Sequence, residues 1–201
     1  MDALLLAGGA SSRMGRDKAL LPLGDGRVLW QRQLDVLRQL HPIRLYISGP
    51  AREGFPPEAV LLPDSTPGLG PLSGLVEGLS ASEAPLLLVL AIDLPAMSVA
   101  FLSSLAAACR PGLGCIPRIG PWFEPLAAVY PRESLPFAET ALASEDRSLQ
   151  SLAHQLLGRK MIAVHEVDPA TENLFLNWNS GDLSRGPKKA PEPGWKDFPM
   201  C

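Results

Sequence analysis

Leu86 to Leu90 are five apolar side chains in an unbroken row, followed by Ala91, Ile92 and Asp93. A strand with one wet face alternates apolar and polar residues. An unbroken row this short belongs to a strand covered on both faces, as in a parallel sheet between helical layers. Ala3–Leu6 and Ala59–Leu62 are shorter runs of the same kind, and Ile43–Ile47 reads as another strand. Helical segments stand between them. Val28, Leu29, Leu34, Leu37 and Leu40 recur at helical spacing and predict a helix over Val28–Leu40. Proline suits a first helical position, and Pro71 opens a second helix, Pro71–Leu79. Met97–Cys109 reads as a third. Leu113–Pro117 and Leu126–Tyr130 read as strands, Pro136–Ala143 and Ser148–Leu157 as helices, and Met161–Val164 as a last strand. Strand and helix in alternation give an α/β domain with a mostly parallel sheet.

The bulk numbers fit one folded unit. The chain has 201 residues, 46% hydrophobic and 19% charged, which is a globular composition. A net charge of −3 gives no basic footprint, so no nucleic-acid partner is expected. The longest apolar runs fall well short of a membrane span, and the first residues lack the basic segment of a secretion signal, so no membrane partner is expected. Cys109, Cys115 and Cys201 are odd in number and fit no metal spacing; free thiols and a cytoplasmic location follow. His41, His154 and His165 stand in ordinary contexts and read as structural or surface residues. Residues 184–201, rich in Pro, Lys and Gly, read as an irregular tail behind a single domain, 1–183.

After the first strand the chain reads LAGGASSRMGRDKALLPL. Ligands of open α/β sheets bind at the carboxyl ends of strands, and this loop sits at one. Gly8 and Gly9 let backbone N–H groups approach an anion; Arg13, Arg16 and Lys18 supply positive charge. Neither the GxGxxG dinucleotide fingerprint nor the GxxxxGK[ST] P-loop is present. The residues alone leave two readings open, a phosphate cradle and a plain turn with a basic rim.

The stretch from Leu6 to Lys18 resembles the opening motif of molybdenum cofactor guanylyltransferases, the MobA family, of the form LAGGxSxRMGxDK. The resemblance continues in order: PDSTPGLGPLSGL from Pro63, LAIDLP from Leu90, EPLAAVY from Glu124 and FLNWNSGDL from Phe175. It implies a three-layer α/β/α fold with a Rossmann-like sheet and the topology of nucleotide-diphospho-sugar transferases. It further implies that GMP passes from GTP to the terminal phosphate of molybdopterin or molybdenum cofactor, with release of pyrophosphate. The acceptor phosphate is already an anion, so this chemistry asks for positioning and charge neutralisation rather than a general base.

By the same resemblance Lys18 and Asp93 are the catalytic residues, supported by Arg13, with Asp93 as ligand of Mg²⁺. Leu6, Ala7, Gly8, Gly9, Lys18, Asp64, Gly74 and Asp93 are expected around the nucleotide, and Arg147, Asn177 and Asn179 around the acceptor. The family pattern leaves Arg16 free. Two departures stand out: Ser48-Gly49 occupies a place where an asparagine often contacts the base, and Ser180-Gly181-Asp182 replaces a Thr-Pro-Glu type of sequence. Gly9 and Asp17 favour GTP over CTP. A related transferase using CTP or another phosphorylated acceptor is the first alternative. A non-catalytic carrier of GTP or molybdenum cofactor is the second. The expected partners are GTP, molybdopterin, and other proteins of molybdenum cofactor biosynthesis or a recipient molybdoenzyme.

Overall fold

A computed structural model describes residues 1–8, 17–24, 26–63 and 68–177. In chain order the elements are β1 (Asp2–Leu6), α1 (Leu29–Arg38), β2 (Leu45–Ser48), β3 (Ala59–Leu62), α2 (Pro71–Ala81), β4 (Leu86–Ala91) and α3 (Val99–Ala107). Then follow β5 (Gly114–Ile119), β6 (Trp122–Phe123), β7 (Ala127–Pro131), α4 (Leu135–Ala143), α5 (Leu149–Gly158) and β8 (Ile162–Glu166). The expected elements are present, with ends shifted by a residue or two. Trp122–Phe123 and a 3₁₀ turn at Pro169–Phe175 were not expected. Two residues are too few for a periodic signal.

The sheet runs β3-β2-β1-β4-β7-β5, with β6 folded back on β5 and β8 pairing with β5. β1 pairs parallel with β2 and β4, and β2 with β3; β7 runs against both β4 and β5, and β8 lies parallel to β5. The sheet is mixed and mostly parallel.

Its unbroken apolar strands divide their side chains between two cores. Ala3 and Leu5 of β1 and Leu86, Leu88 and Leu90 of β4 face the layer of α1 and α3, with Leu34, Leu37, Phe101 and Leu105. Leu4 and Leu6, with Leu87 and Val89, face α2, α4 and α5 through Leu72, Leu75, Leu79, Ala138 and Leu152. Strand alternation therefore builds a three-layer α/β/α sandwich in which both sheet faces are dry. The carboxyl ends of β1, β2, β4, β5 and β8 and the start of β7 share one edge of the sheet.

Candidate active site

β1 ends at Leu6, and Gly8 begins the loop. The Ala7 N–H donates to the Ser48 carbonyl (2.8 Å) and the Ile92 N–H to the Leu6 carbonyl (3.0 Å), tying the ends of β2 and β4 to that of β1. The approach of β2 is close enough to require glycine. Gly49 has φ +132°, and a Cβ there would stand 2.6 Å from the Gly8 nitrogen. No asparagine fits at Gly49 with this backbone, which explains one of the departures noted above.

Asp17 caps a short 3₁₀ turn, Lys18–Leu20, by accepting from the Ala19 N–H (3.0 Å). Arg52, from the segment after β2, grips Asp17 with two bonds: Nε to Oδ2 at 2.7 Å and Nη2 to Oδ1 at 3.0 Å. The same Nη2 donates to the Ala7 carbonyl (3.0 Å), so one guanidinium joins both ends of the loop. Its side chain is only 8% exposed and lies over the Phe55 ring. Burial pushes the Asp17 carboxyl up; Arg52 and the Ala19 amide outweigh this and leave it below its ordinary value.

Asp93 lies just beyond β4. Burial pushes its carboxyl above the ordinary range, against the opposing charge of Lys18. Its Oδ1 is fully buried and, among the described residues, has no hydrogen-bond partner. The loop carrying it is braced from α1. Buried Gln33 donates to the carbonyls on either side of Asp93, Ala91 at 3.2 Å and Leu94 at 2.8 Å, and Arg32 donates to Met97 (3.2 Å). An orphaned carboxylate oxygen at a strand end suits a hard cation. Mg²⁺ needs one or two carboxylates, drawing its other ligands from phosphates and water. Among the described residues no group of three His, Cys, Asp or Glu could hold a metal; Asp93 is a carboxylate that could hold one together with a substrate's phosphates.

α2 points its N-terminus toward this edge, with Gly70 (φ +77°) as cap and Pro71 behind it. Gly74 faces the sheet: a Cβ there would stand 2.6 Å from Ser48 Oγ and 2.7 Å from Leu6 Cδ2. Its requirement is close helix–strand packing.

A MobA-like NTP transferase domain model matches residues 3–160. The chain belongs to this family. It is 38% identical over 179 residues to the probable molybdenum cofactor guanylyltransferase of Opitutus terrae, covering 87% of this chain and 88% of that one. A probable molybdenum cofactor guanylyltransferase of Chloroflexus aggregans is 33% identical over 86% of this chain and 81% of its own. The fold matches molybdopterin-guanine dinucleotide biosynthesis protein A of Archaeoglobus fulgidus with a TM-score of 0.68 at 23% identity, over 90% and 94% of the two chains. It also matches 2-C-methyl-D-erythritol 4-phosphate cytidylyltransferase of Thermus thermophilus with a TM-score of 0.59 at 18% identity, over 88% and 96%. MobA-like domains thus share this scaffold with cytidylyltransferases.

Of the residues singled out in the sequence, Lys18 and Asp93 meet electrostatically, and Leu6, Ala7, Gly8 and Gly74 line the same strand ends. Gly9, Arg13, Arg16, Asp64, Asn179 and Ser180-Gly181-Asp182 lie outside the described residues, as does the tail. Asn177 is exposed, just after the 3₁₀ turn whose Phe175 packs edge-on against Phe101 of α3. Arg147 is exposed before α5, its Nε donating to the Leu142 carbonyl (3.0 Å). His154 and His165 pack edge-on against Phe123 and Phe101, in keeping with structural roles. Arg52, Gln33 and Glu124 were not singled out. Gln33 left a trace, a polar residue on the apolar stripe of α1. Arg52 left none.

Proposed function

We propose that this MobA-like domain transfers GMP from GTP to the terminal phosphate of molybdopterin or molybdenum cofactor, releasing pyrophosphate and forming a guanine dinucleotide cofactor. The observation that carries the reading is the charge of Lys18 acting on Asp93, whose buried Oδ1 has no hydrogen-bond partner among the described residues, in a chain 38% identical to a relative named for this activity.

The roles follow from charge. Lys18 stabilises the charge that builds on the α-phosphate as the acceptor attacks. Arg13 supports it, and the Gly8-Gly9 backbone cradles the triphosphate with Leu6 and Ala7. Asp64 and Gly74 serve the nucleoside of GTP, and Arg147, Asn177 and Asn179 serve the acceptor. Asp93 would hold Mg²⁺, which when bound would supply neutralisation of phosphate charge. Asp17, fixed by Arg52, sets the start of the turn that carries Lys18. The catalytic unit is 1–183, with the tail outside it. The enzyme works in the cytoplasm and hands its product to a later protein of cofactor biosynthesis or to a recipient molybdoenzyme.

The test follows pyrophosphate release from GTP and from CTP with molybdopterin and Mg²⁺. Release with GTP is expected, falling about 10²–10³-fold in Lys18→Ala and Asp93→Ala, with folding retained in circular dichroism. Release with CTP alone would overturn the choice of base. Nucleotide binding without release, from folded protein with authentic acceptor, would make the chain a carrier.

A further inference from the structure

Between β6 and β7 the pairing on β5 slips. Ile119 faces Trp122 and Arg118 faces Phe123, whereas Cys115 faces Val129. The segment that follows Glu124, from Pro125 on, takes up the difference as a bulge at the carboxyl edge of the sheet. Bulges are common beside active sites, and Glu124 is the last residue in register before this one.

The bulge is held on three sides. The Glu124 N–H donates to the Pro117 carbonyl (2.8 Å), and the Ala91 N–H, two residues before Asp93, donates to Leu126 (2.7 Å). The buried Tyr130 hydroxyl donates to the Pro125 carbonyl (2.8 Å). Gln150, in the first turn of α5, spans Phe123 with both amide groups, at 3.0 and 2.7 Å. All of this fixes the backbone and leaves the Glu124 carboxylate alone. Among the described residues no hydrogen bond or ion pair reaches it, and burial pushes it up to about 7. A half-buried carboxylate held rigidly with no donor is costly unless a ligand supplies one.

Glu124 continues the extended register of β6, so it shares a side of the chain with Trp122, while Phe123 between them is buried in the core toward α5. Trp122 is 59% exposed. A flat apolar surface thus stands beside a donor-seeking carboxylate, an arrangement suited to a planar heterocycle with paired N–H donors on one edge. The 2-amino-4-oxo-pyrimidine ring presents such an edge, and both pterin and guanine contain it.

We propose that Glu124 binds the pterin of the acceptor, accepting from its ring N–H and 2-amino group, with Trp122 against the ring face. Position decides between the two sources. The loop expected to hold GTP lies at β1, whereas Glu124 lies beyond β4, between β6 and β7 and against β5. The inference rests on the guanylyl-transfer reading and supplies the recognition of its second substrate.

The experiment measures steady-state constants for GTP and for molybdopterin, and thermal unfolding, in wild type, Glu124→Gln and Trp122→Ala. In Glu124→Gln the KM for molybdopterin should rise tenfold or more, while that for GTP stays within about twofold and Tm is equal or higher. Trp122→Ala should raise the same acceptor constant. An unchanged acceptor KM in Glu124→Gln, in an active wild type, overturns this inference and leaves the guanylyl-transfer reading standing. A rise in the GTP constant instead places guanine there and overturns it equally. A lowered Tm makes the carboxylate structural. Wild type that releases no pyrophosphate from GTP overturns the function, and this inference with it.

Discussion

Arg52 carries more of the site than its place in a connecting segment would indicate. Its fork binds Asp17 twice and the Ala7 carbonyl once, so the strand end and the re-entry of the loop share one cation. Lysine has the charge but not the planar fork, so Arg52→Lys is expected to recover only part of what Arg52→Met loses. Arg52→Met leaves Asp17 without its partner and should cost about 2 kcal/mol, or roughly 4–8 °C in Tm. It should also lower kcat more than it raises the KM for GTP, because Lys18 begins the turn that Asp17 caps. A calorimetric scan with steady-state kinetics checks both parts. Equal Tm in all three proteins would show that the pair adds nothing.

At the scale of elements, α1 does more than cover a face of the sheet. Gln33 reaches 58 residues along the chain to Ala91 and 61 to Leu94, carrying the Asp93 loop on one side chain. Gln33→Leu suits the apolar surroundings but strips two carbonyls of their donor, at about 2–4 kcal/mol. Urea unfolding should show that loss, and kcat at saturating substrate should fall as Asp93 loses its bracing. A stability loss with kcat unchanged would mean that the loop holds its shape unaided. The same residue marks the limit of what the chain reveals unaided. Strands such as Leu86–Ala91 are legible because two-sided burial writes an unbroken apolar row, and helix α1 because its stripe repeats. Lys18 and Asp93 are legible through their motifs. Bonds made at a distance are not, because periodicity sees only near neighbours. Gln33 breaks a stripe without naming its partners, and Arg52 looks like any loop arginine. Glu124 sits inside the EPLAAVY motif, yet only the slipped pairing on β5 shows that it stands beside a bulge at the carboxyl edge of the sheet.

Taken whole, the sheet has a parallel part, β3-β2-β1-β4, that holds the glycine loop and Asp93, and a second part around β7, β5 and β8 that holds Glu124. Asp93 and Glu124 are both raised by burial, so the molecule carries unfavourable buried charge along its ligand-binding edge, as functional sites often do. The pH dependence follows in sign. A carboxyl raised in the folded state favours folding fully below its unfolded pKa, and that advantage disappears as pH climbs through the folded value. For Glu124 the window runs from its ordinary 4.5 to about 7. Asp17, lowered by Arg52, acts oppositely: its contribution is present above 3.8 and is lost as pH falls below it. Stability from these groups should therefore decline between about pH 5 and pH 8. Glu124→Gln removes one source of the decline, worth about 1 kcal/mol after solvent screening, or about 2–4 °C in Tm. Thermal scans at both pH values should show the variant level with wild type at pH 5 and above it at pH 8. Curves that stay parallel would mean that Glu124 ionises in the fold as freely as in water. Saturating molybdopterin should narrow the same gap at pH 8. Its N–H donors give the charged carboxylate of wild type the partners the protein withholds, and the neutral amide of the Glu124→Gln variant gains far less from them.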